Sequence, residues 1–249
     1  TNIGTWDPVT RTYMLNQDVY DTIQIQQDNL TLDGAGHTVR RSSGGFSIGI
    51  YLPYRRKNVT IKNLTVENFS YGFYLNYADY NTIENVTVRS SLDTGILLWS
   101  SFSNTIQNTT AELNRRYGIF VYRFSRGNTI RESTVQNNRS VGIWVRYYSH
   151  SNTVKDNTIS GNGSVGVYFH DTSMYCKAVG NTISNNQAGF YAYRSKSGEV
   201  YNNSFISNIS YQAKTDLVSS VKFYKPKPVG GNHWSNHTIP DNDGDGFVD

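Results

Sequence analysis

The feature that most constrains this chain is a repeat. From Asn58 to Asn208 one pattern returns about seven times: Asn-Thr-Ile, a short gap, a β-branched residue, an Asn, then Gly followed by apolar-x-apolar. The first apolar column is Ile61, Ile83, Ile106, Ile130, Val154, Ala178 and Val200, spaced 22 to 24 residues apart. The glycine column is Gly49, Gly72, Gly95, Gly118, Gly142, Gly166 and Gly189, spaced 23 or 24. Two independent columns holding one period mark a solenoid built of stacked units.

A period in the low twenties admits a leucine-rich repeat or a β-helix. The Leu-x-x-Leu-x-Leu scaffold is absent, and no repeat carries a helical run of Ala, Leu, Glu or Lys. Each unit instead holds short alternating runs of Ile, Val, Thr, Phe and Tyr broken by Gly, Asn and Ser, which is strand-and-turn chemistry. The expected fold is all-β, a right-handed parallel β-helix of the pectate-lyase-like type with seven or eight coils. At a strand spacing of about 4.8 Å the rod would be roughly 35–40 Å long. Residues 1–29, which lack the repeat, are expected to cap the first coil. Residues 30–210 form the helix, and residues 211–249, with Pro226 and Pro228, form a C-terminal cap and tail of the same single domain.

Asparagines recur in fixed registers: Asn81, Asn104, Asn128 and Asn152; Asn157, Asn181 and Asn203; and Asn114, Asn138, Asn162, Asn186 and Asn208. Asn tolerates left-handed turns, and amides stacked at equal height can bond from coil to coil. These columns read as structural ladders rather than as a polar active site. Asp33 and His37, set among glycines, read as a turn. The lone Cys176 falls in the Asn152 column and permits no internal disulfide. Sequons such as Asn29, Asn85, Asn108, Asn138 and Asn162 fit a secreted glycoprotein, yet a coil rich in Asn and Thr generates them by chance.

Hydrophobic content is 37%, consistent with a narrow solenoid core, and the net charge is +4. The charges are scattered rather than clustered, so a nucleic-acid partner is not expected. No apolar run reaches membrane-spanning length. A start at Thr1 rather than Met fits removal of a signal peptide, and the expected location is extracellular or cell-surface.

Alternation places the residue between the two apolar positions that follow each glycine on the outside. That column is Tyr51, Tyr74, Leu97, Phe120, Trp144, Tyr168 and Tyr191. The next outward column includes Trp99, Tyr122, Arg146, His170 and Tyr193, flanked by Arg123, Tyr147, Asp171 and Arg194. Flat rings stack on sugar faces, and arginines take carboxylates or sulfates in bidentate fashion. A stripe along the rod suits an extended acidic polysaccharide. The same residues also suit a face covered by another subunit or a partner, or rings that merely stabilise neighbouring strands.

The densest chemistry on that face is Tyr168, His170 and Asp171 above Arg146. A polyuronate lyase or C5-epimerase needs a cation for the sugar carboxylate, a base and an acid. Arg146 or Arg123 suits the first role, and His170 and Tyr168 the others. A hydrolase wants two facing carboxylates, and the neighbours of Asp171 in its column are Tyr147 and Arg194, which disfavours hydrolysis. Whether the chain is an enzyme stays open. At the C-terminus Asp241, Asp243, Asp245, Phe247 and Asp249 occupy the spacing of an EF-hand-type calcium loop that stops short of its last ligand, so calcium is an expected cofactor.

The Leu30–Val39 opening, Leu-Thr-Leu-Asp-Gly-Ala-Gly-His-Thr-Val, and the Asn-Thr-Ile rhythm resemble the CASH/NosD-like right-handed β-helix group. The closing Gly230-Gly231-Asn232-His233-Trp234-Ser235 is similar to the tail of its extracellular members. The resemblance implies the fold, carbohydrate binding or sugar hydrolysis, and a surface location. Val167-Tyr168-Phe169-His170-Asp171 has the residue types of the mannuronan epimerase motif in another order, so no roles carry over. Copper handling, associated with NosD itself, is disfavoured by two Met, one Cys and scattered His.

Overall fold

The computed structural model describes residues 3–42, 45–226 and 229–235. Those residues form strands and turns with no helix, and each coil contributes strands to three faces. In one coil these are Thr105–Gln107, Thr110–Glu112 and Tyr117–Tyr122. Coil-to-coil pairing is parallel and in register, as in Thr105↔Thr82 and Thr105↔Thr129. The third face is a nine-stranded sheet, so the stack exceeds the seven or eight coils read from the repeat. The additional rungs are the short strands Ile23–Gln24 and Ala213–Thr215, where the sequence pattern has faded but the backbone still pairs. At the N-terminal end Gly4–Asp7 and Thr12–Leu15 make an antiparallel hairpin. Thr12–Leu15 then pairs parallel to Leu30–Asp33 and takes up its open edge.

The interior is a single apolar column. Ile106, Ala111, Ile119 and Val121 of one coil are 0–1% exposed, and their counterparts above and below are equally enclosed. Each such side chain contributes about 1.5–3 kcal/mol by leaving water. The glycine column is set by crowding. A Cβ on Gly118 would sit 2.5 Å from Val135 Cγ1 and 2.8 Å from the Gly142 carbonyl oxygen.

At the corners the expected asparagine ladders are present. Asn104 donates its backbone N–H and its Nδ2 to Asn128 Oδ1, at 2.9 and 3.0 Å. Asn128 repeats both bonds to Asn152 and gives its other Nδ2 hydrogen to the Ser101 carbonyl. A second ladder climbs Asn157, Asn181 and Asn203 and ends on Asn232, within the Gly230–Ser235 segment. There Trp234 stacks on Phe205 with centroids 4.7 Å apart, so that closing segment completes the last rung. Asn138 and Asn162 belong to the third ladder and are 1% exposed, which removes them as glycosylation acceptors. Cys176 is a fully buried thiol whose pKa burial pushes up to about 12, so it stays protonated.

Asn128→Ala would leave the buried N–H and one Nδ2 hydrogen of Asn104, and the Ser101 carbonyl, without these partners. We expect it to lower unfolding free energy by about 2–5 kcal/mol. Thr158→Ser, exposed on the outer surface, should change it by about 0.5 kcal/mol or less. Urea unfolding followed by circular dichroism checks both.

Candidate functional site

Strand register brings the predicted outward column together on the nine-stranded face. Tyr51 pairs with Tyr74, Tyr74 with Leu97, Leu97 with Phe120, Phe120 with Trp144, Trp144 with Tyr168, and Tyr168 with Tyr191. The rings follow the backbone. Phe120 and Trp144 stack at 4.8 Å and 14°, Trp144 and Tyr168 at 5.8 Å and 8°, and Tyr168 and Tyr191 at 5.0 Å and 13°. The column is half-buried rather than fully exposed, because each ring covers its neighbour, and Leu97 is only 4% exposed.

Beside it runs Trp99, Tyr122, Arg146, His170 and Tyr193, also in register. The flanking Arg123, Tyr147, Asp171 and Arg194 sit at the corner with φ between 49 and 60°. Non-glycine residues rarely adopt this left-handed conformation. Here it recurs at one height in coil after coil because the chain must turn there. Guanidinium groups lie over rings of the face: Arg123 over Trp99 at 5.5 Å, Arg146 over Trp144 at 4.9 Å and Arg194 over Tyr193 at 5.2 Å. Such placements are favourable cation–π contacts.

The four residues expected to carry chemistry are adjacent. Asp171 Oδ2 accepts from Arg146 Nε at 2.9 Å and lies 3.0 Å from His170 Nδ1. The second contact is not aligned as a hydrogen bond and becomes an ion pair only when His170 is protonated; both His170 Nδ1 and Trp144 Nε1 are enclosed without a hydrogen-bond partner. The His170 ring is 4.7 Å from that of Tyr168 and stacks on Tyr193 at 5.0 Å. Burial pushes the His170 pKa down; Asp171 opposes this, while Arg146 and Arg194 reinforce it. Burial and the surrounding Tyr191 and Tyr211 phenols push Tyr168 well above the usual phenol range. At neutral pH His170 is therefore neutral, able to accept a proton, and Tyr168 is protonated, able to give one. Asp171 is met by Arg146 and His170 rather than by a second carboxylate.

Sequence reasoning missed one part of this face. Asp93 and Arg116 form an ion pair at 3.1 Å beside the column, next to Tyr71 and Tyr117. Their signal is complementary charge one period apart, 23 residues. The proposed calcium residues Asp241, Asp243, Asp245, Phe247 and Asp249 lie outside the described residues. Among the described residues no cluster of three or more His, Cys, Asp or Glu can hold a metal, and no helix is long and apolar enough to cross a membrane.

The model of the right-handed β-helix region matches residues 21–150 and 48–205. The chain belongs to the right-handed β-helix family. Members of known structure share its fold at low identity. The A-module of mannuronan C-5 epimerase AlgE6 from Azotobacter vinelandii has a TM-score of 0.61 at 17% identity, over 84% of this chain and 69% of that one. Pectate lyase Pel9A has a TM-score of 0.62 at 16% identity, over 93% and 71%. PfbA, a surface adhesin of Streptococcus pneumoniae, has a TM-score of 0.63 at 12% identity, over 92% and 71%. No curated protein sequence matches this β-helix chain.

Because its folded-state pKa is depressed, His170 resists protonation in the folded chain but not in the unfolded one. The stability tied to its neutral form is present above the ordinary value of 6.5 and is lost as pH falls through the lower folded value. His150, also depressed by burial and by Arg126, acts in the same direction. NMR titration should place the His170 midpoint below 6.5. Melting temperatures should fall on acidification below that pH, less steeply in the His150→Gln/His170→Gln variant.

Proposed function

We propose that this chain is an extracellular polysaccharide-binding β-helix that holds an acidic polymer along the aromatic face from Tyr51 to Arg194. The observation that carries this reading is the in-register stack Phe120, Trp144, Tyr168 and Tyr191 with Arg123, Arg146 and Arg194 laid over its edge. Ring faces offer stacking platforms, and guanidinium groups offer charge-assisted hydrogen bonds to carboxylates. Coils about 4.8 Å apart repeat that offer along the rod. Two relatives in fold are named for mannuronan and pectate, both polymers of uronic acids. The third, a surface adhesin, fits the same extracellular setting.

The placement of Arg146, His170 and Tyr168 side by side suits an added activity on that polymer. Neutral His170 takes the C5 proton of a uronate whose carboxylate is held by Arg146. Tyr168, on the same side of the sugar, then protonates the departing glycosidic oxygen, giving an unsaturated end. A non-enzymatic adhesive module that associates through the same face is the competing reading. Calcium bound by the Asp241–Asp249 segment belongs to this proposal as a tail-stabilising ion.

Trp144→Ala and Tyr168→Ala should each weaken binding of mannuronan or polygalacturonate roughly tenfold or more, while the protein stays folded and monomeric. Calorimetry, with light scattering for mass, reads both. A change of association state without loss of glycan affinity would favour the adhesive module. Appearance of unsaturated ends by NMR, abolished in His170→Gln, would establish the activity.

A further inference from the structure

Several departures from the repeat of the aromatic face fall side by side. In the ring column, aliphatic Leu97 stands between Tyr74 and Phe120. In the column three residues earlier, aliphatic at Ile48, Val141, Val165 and Ala188, two tyrosines, Tyr71 and Tyr117, flank Thr94. In the turn before it, Ser70 and Ser140 bracket the charged residues Asp93 and Arg116, and Ser164 and Ser210 continue the uncharged run. Backbone bonds fix that alignment: Asp93 N–H to the Ser70 carbonyl, Arg116 to Asp93, and Ser140 to Arg116, at 3.0, 2.8 and 2.9 Å. Sheet stabilisation alone gives no reason for a missing ring, two added tyrosines and an ion pair to fall together.

The coincidence makes a notch of about 250 Å³ with Leu97 and Thr94 at its floor. Tyr71 closes one side, and Tyr117 and Phe120 the other. With one ring absent, the flanking rings are two coils apart, about 9.6 Å instead of about 4.8 Å. Leu97 and Thr94 fill that gap and are only 4% and 1% exposed, so a sugar would rest on the rims of the flanking rings.

The polar rim is pre-set. Asp93 Oδ2 accepts from Arg116 Nη1 at 3.1 Å, and Oδ1 accepts from Thr94 Oγ1 at 2.7 Å. Arg116 Nη2 donates to Tyr117 Oη at 2.9 Å, and its guanidinium lies 4.9 Å over the Tyr117 ring. Held this way, the pair presents a fixed acceptor and a fixed donor side by side, and the Tyr117 hydroxyl keeps its own proton to give. Adjacent hydroxyls on a pyranose ring offer the matching donor and acceptor, and a charged pair that needs no reorientation loses little entropy on binding.

We propose that this notch is a subsite for one pyranose unit of the bound polymer, seated on the flanking rings beside the Asp93–Arg116 pair. One of its hydroxyls donates to Asp93 and its neighbour accepts from Arg116. The Asp93–Arg116 pair then reads the configuration of those two hydroxyls and sets which sugar the face prefers. This rests on the polysaccharide reading above and adds to it where along the face the choice is made.

The test is calorimetric titration with hexasaccharides of mannuronate, guluronate and galacturonate. Wild type should prefer one of the three. Leu97→Phe, which fills the notch, and Arg116→Gln should each weaken the preferred hexasaccharide roughly tenfold to a hundredfold and narrow the preference. Thermal melts confirm folding; the Arg116 side chain is 57% exposed, so its variant reads the pair without disturbing the core. Binding by Arg116→Gln, or by folded Leu97→Phe, within about twofold of wild type, while Trp144→Ala still weakens it, overturns the subsite and leaves the face as the binding site. Failure of wild type to bind any of the three overturns both.

Discussion

Every part of this molecule depends on coils staying in register, and the interior amides enforce it. Apolar packing alone is non-directional and would tolerate a sliding coil. An Asn whose Oδ1 takes two hydrogens from the coil before it, and whose Nδ2 hydrogens go to both neighbouring coils, does not tolerate sliding. In an enclosed site an unpaired amide is expensive, so the ladders convert a soft stack into one with a single alignment. The glycine column adds a steric limit, since a side chain at Gly118 would collide with the next coil.

That alignment makes the aromatic face. Tyr, Trp, Phe, Arg and His come from different coils and meet only because equivalent positions stand at equal heights. Once there, the rings change one another's surroundings. They half-bury the column, lower the His170 pKa and raise that of Tyr168, so packing along the rod also sets proton chemistry. The arginines gain from the same packing, because their guanidinium planes rest on rings while their edges stay available.

Much of this was legible in the sequence because a solenoid writes its geometry as a period. The glycine and asparagine columns gave the fold and the corners, and alternation gave the outward face residue by residue. The terminal rungs at Ile23–Gln24 and Ala213–Thr215 were not legible, since backbone pairing continues after the side-chain pattern stops. Nor was the half-burial of the rings, which arises from contacts along the rod that no single repeat contains. Leu97 was placed in its column but read as one more member, when its meaning lies in the taller neighbours on either side. Asp93 and Arg116 passed unnoticed because they depart from the repeat, and a search for recurrence is blind to departures.

The pairing of one coil with one ring has an evolutionary reading. Coils enter the stack as similar units, most of them bringing an Asn to a ladder and a ring to the face. Gain or loss of a whole coil therefore changes the reach of the face by one step and leaves the interior closed. Residues at the outward positions are free to vary within a coil that keeps its Gly and Asn. Length and chemistry of the binding face can thus be altered separately, the first by duplication and the second by point substitution.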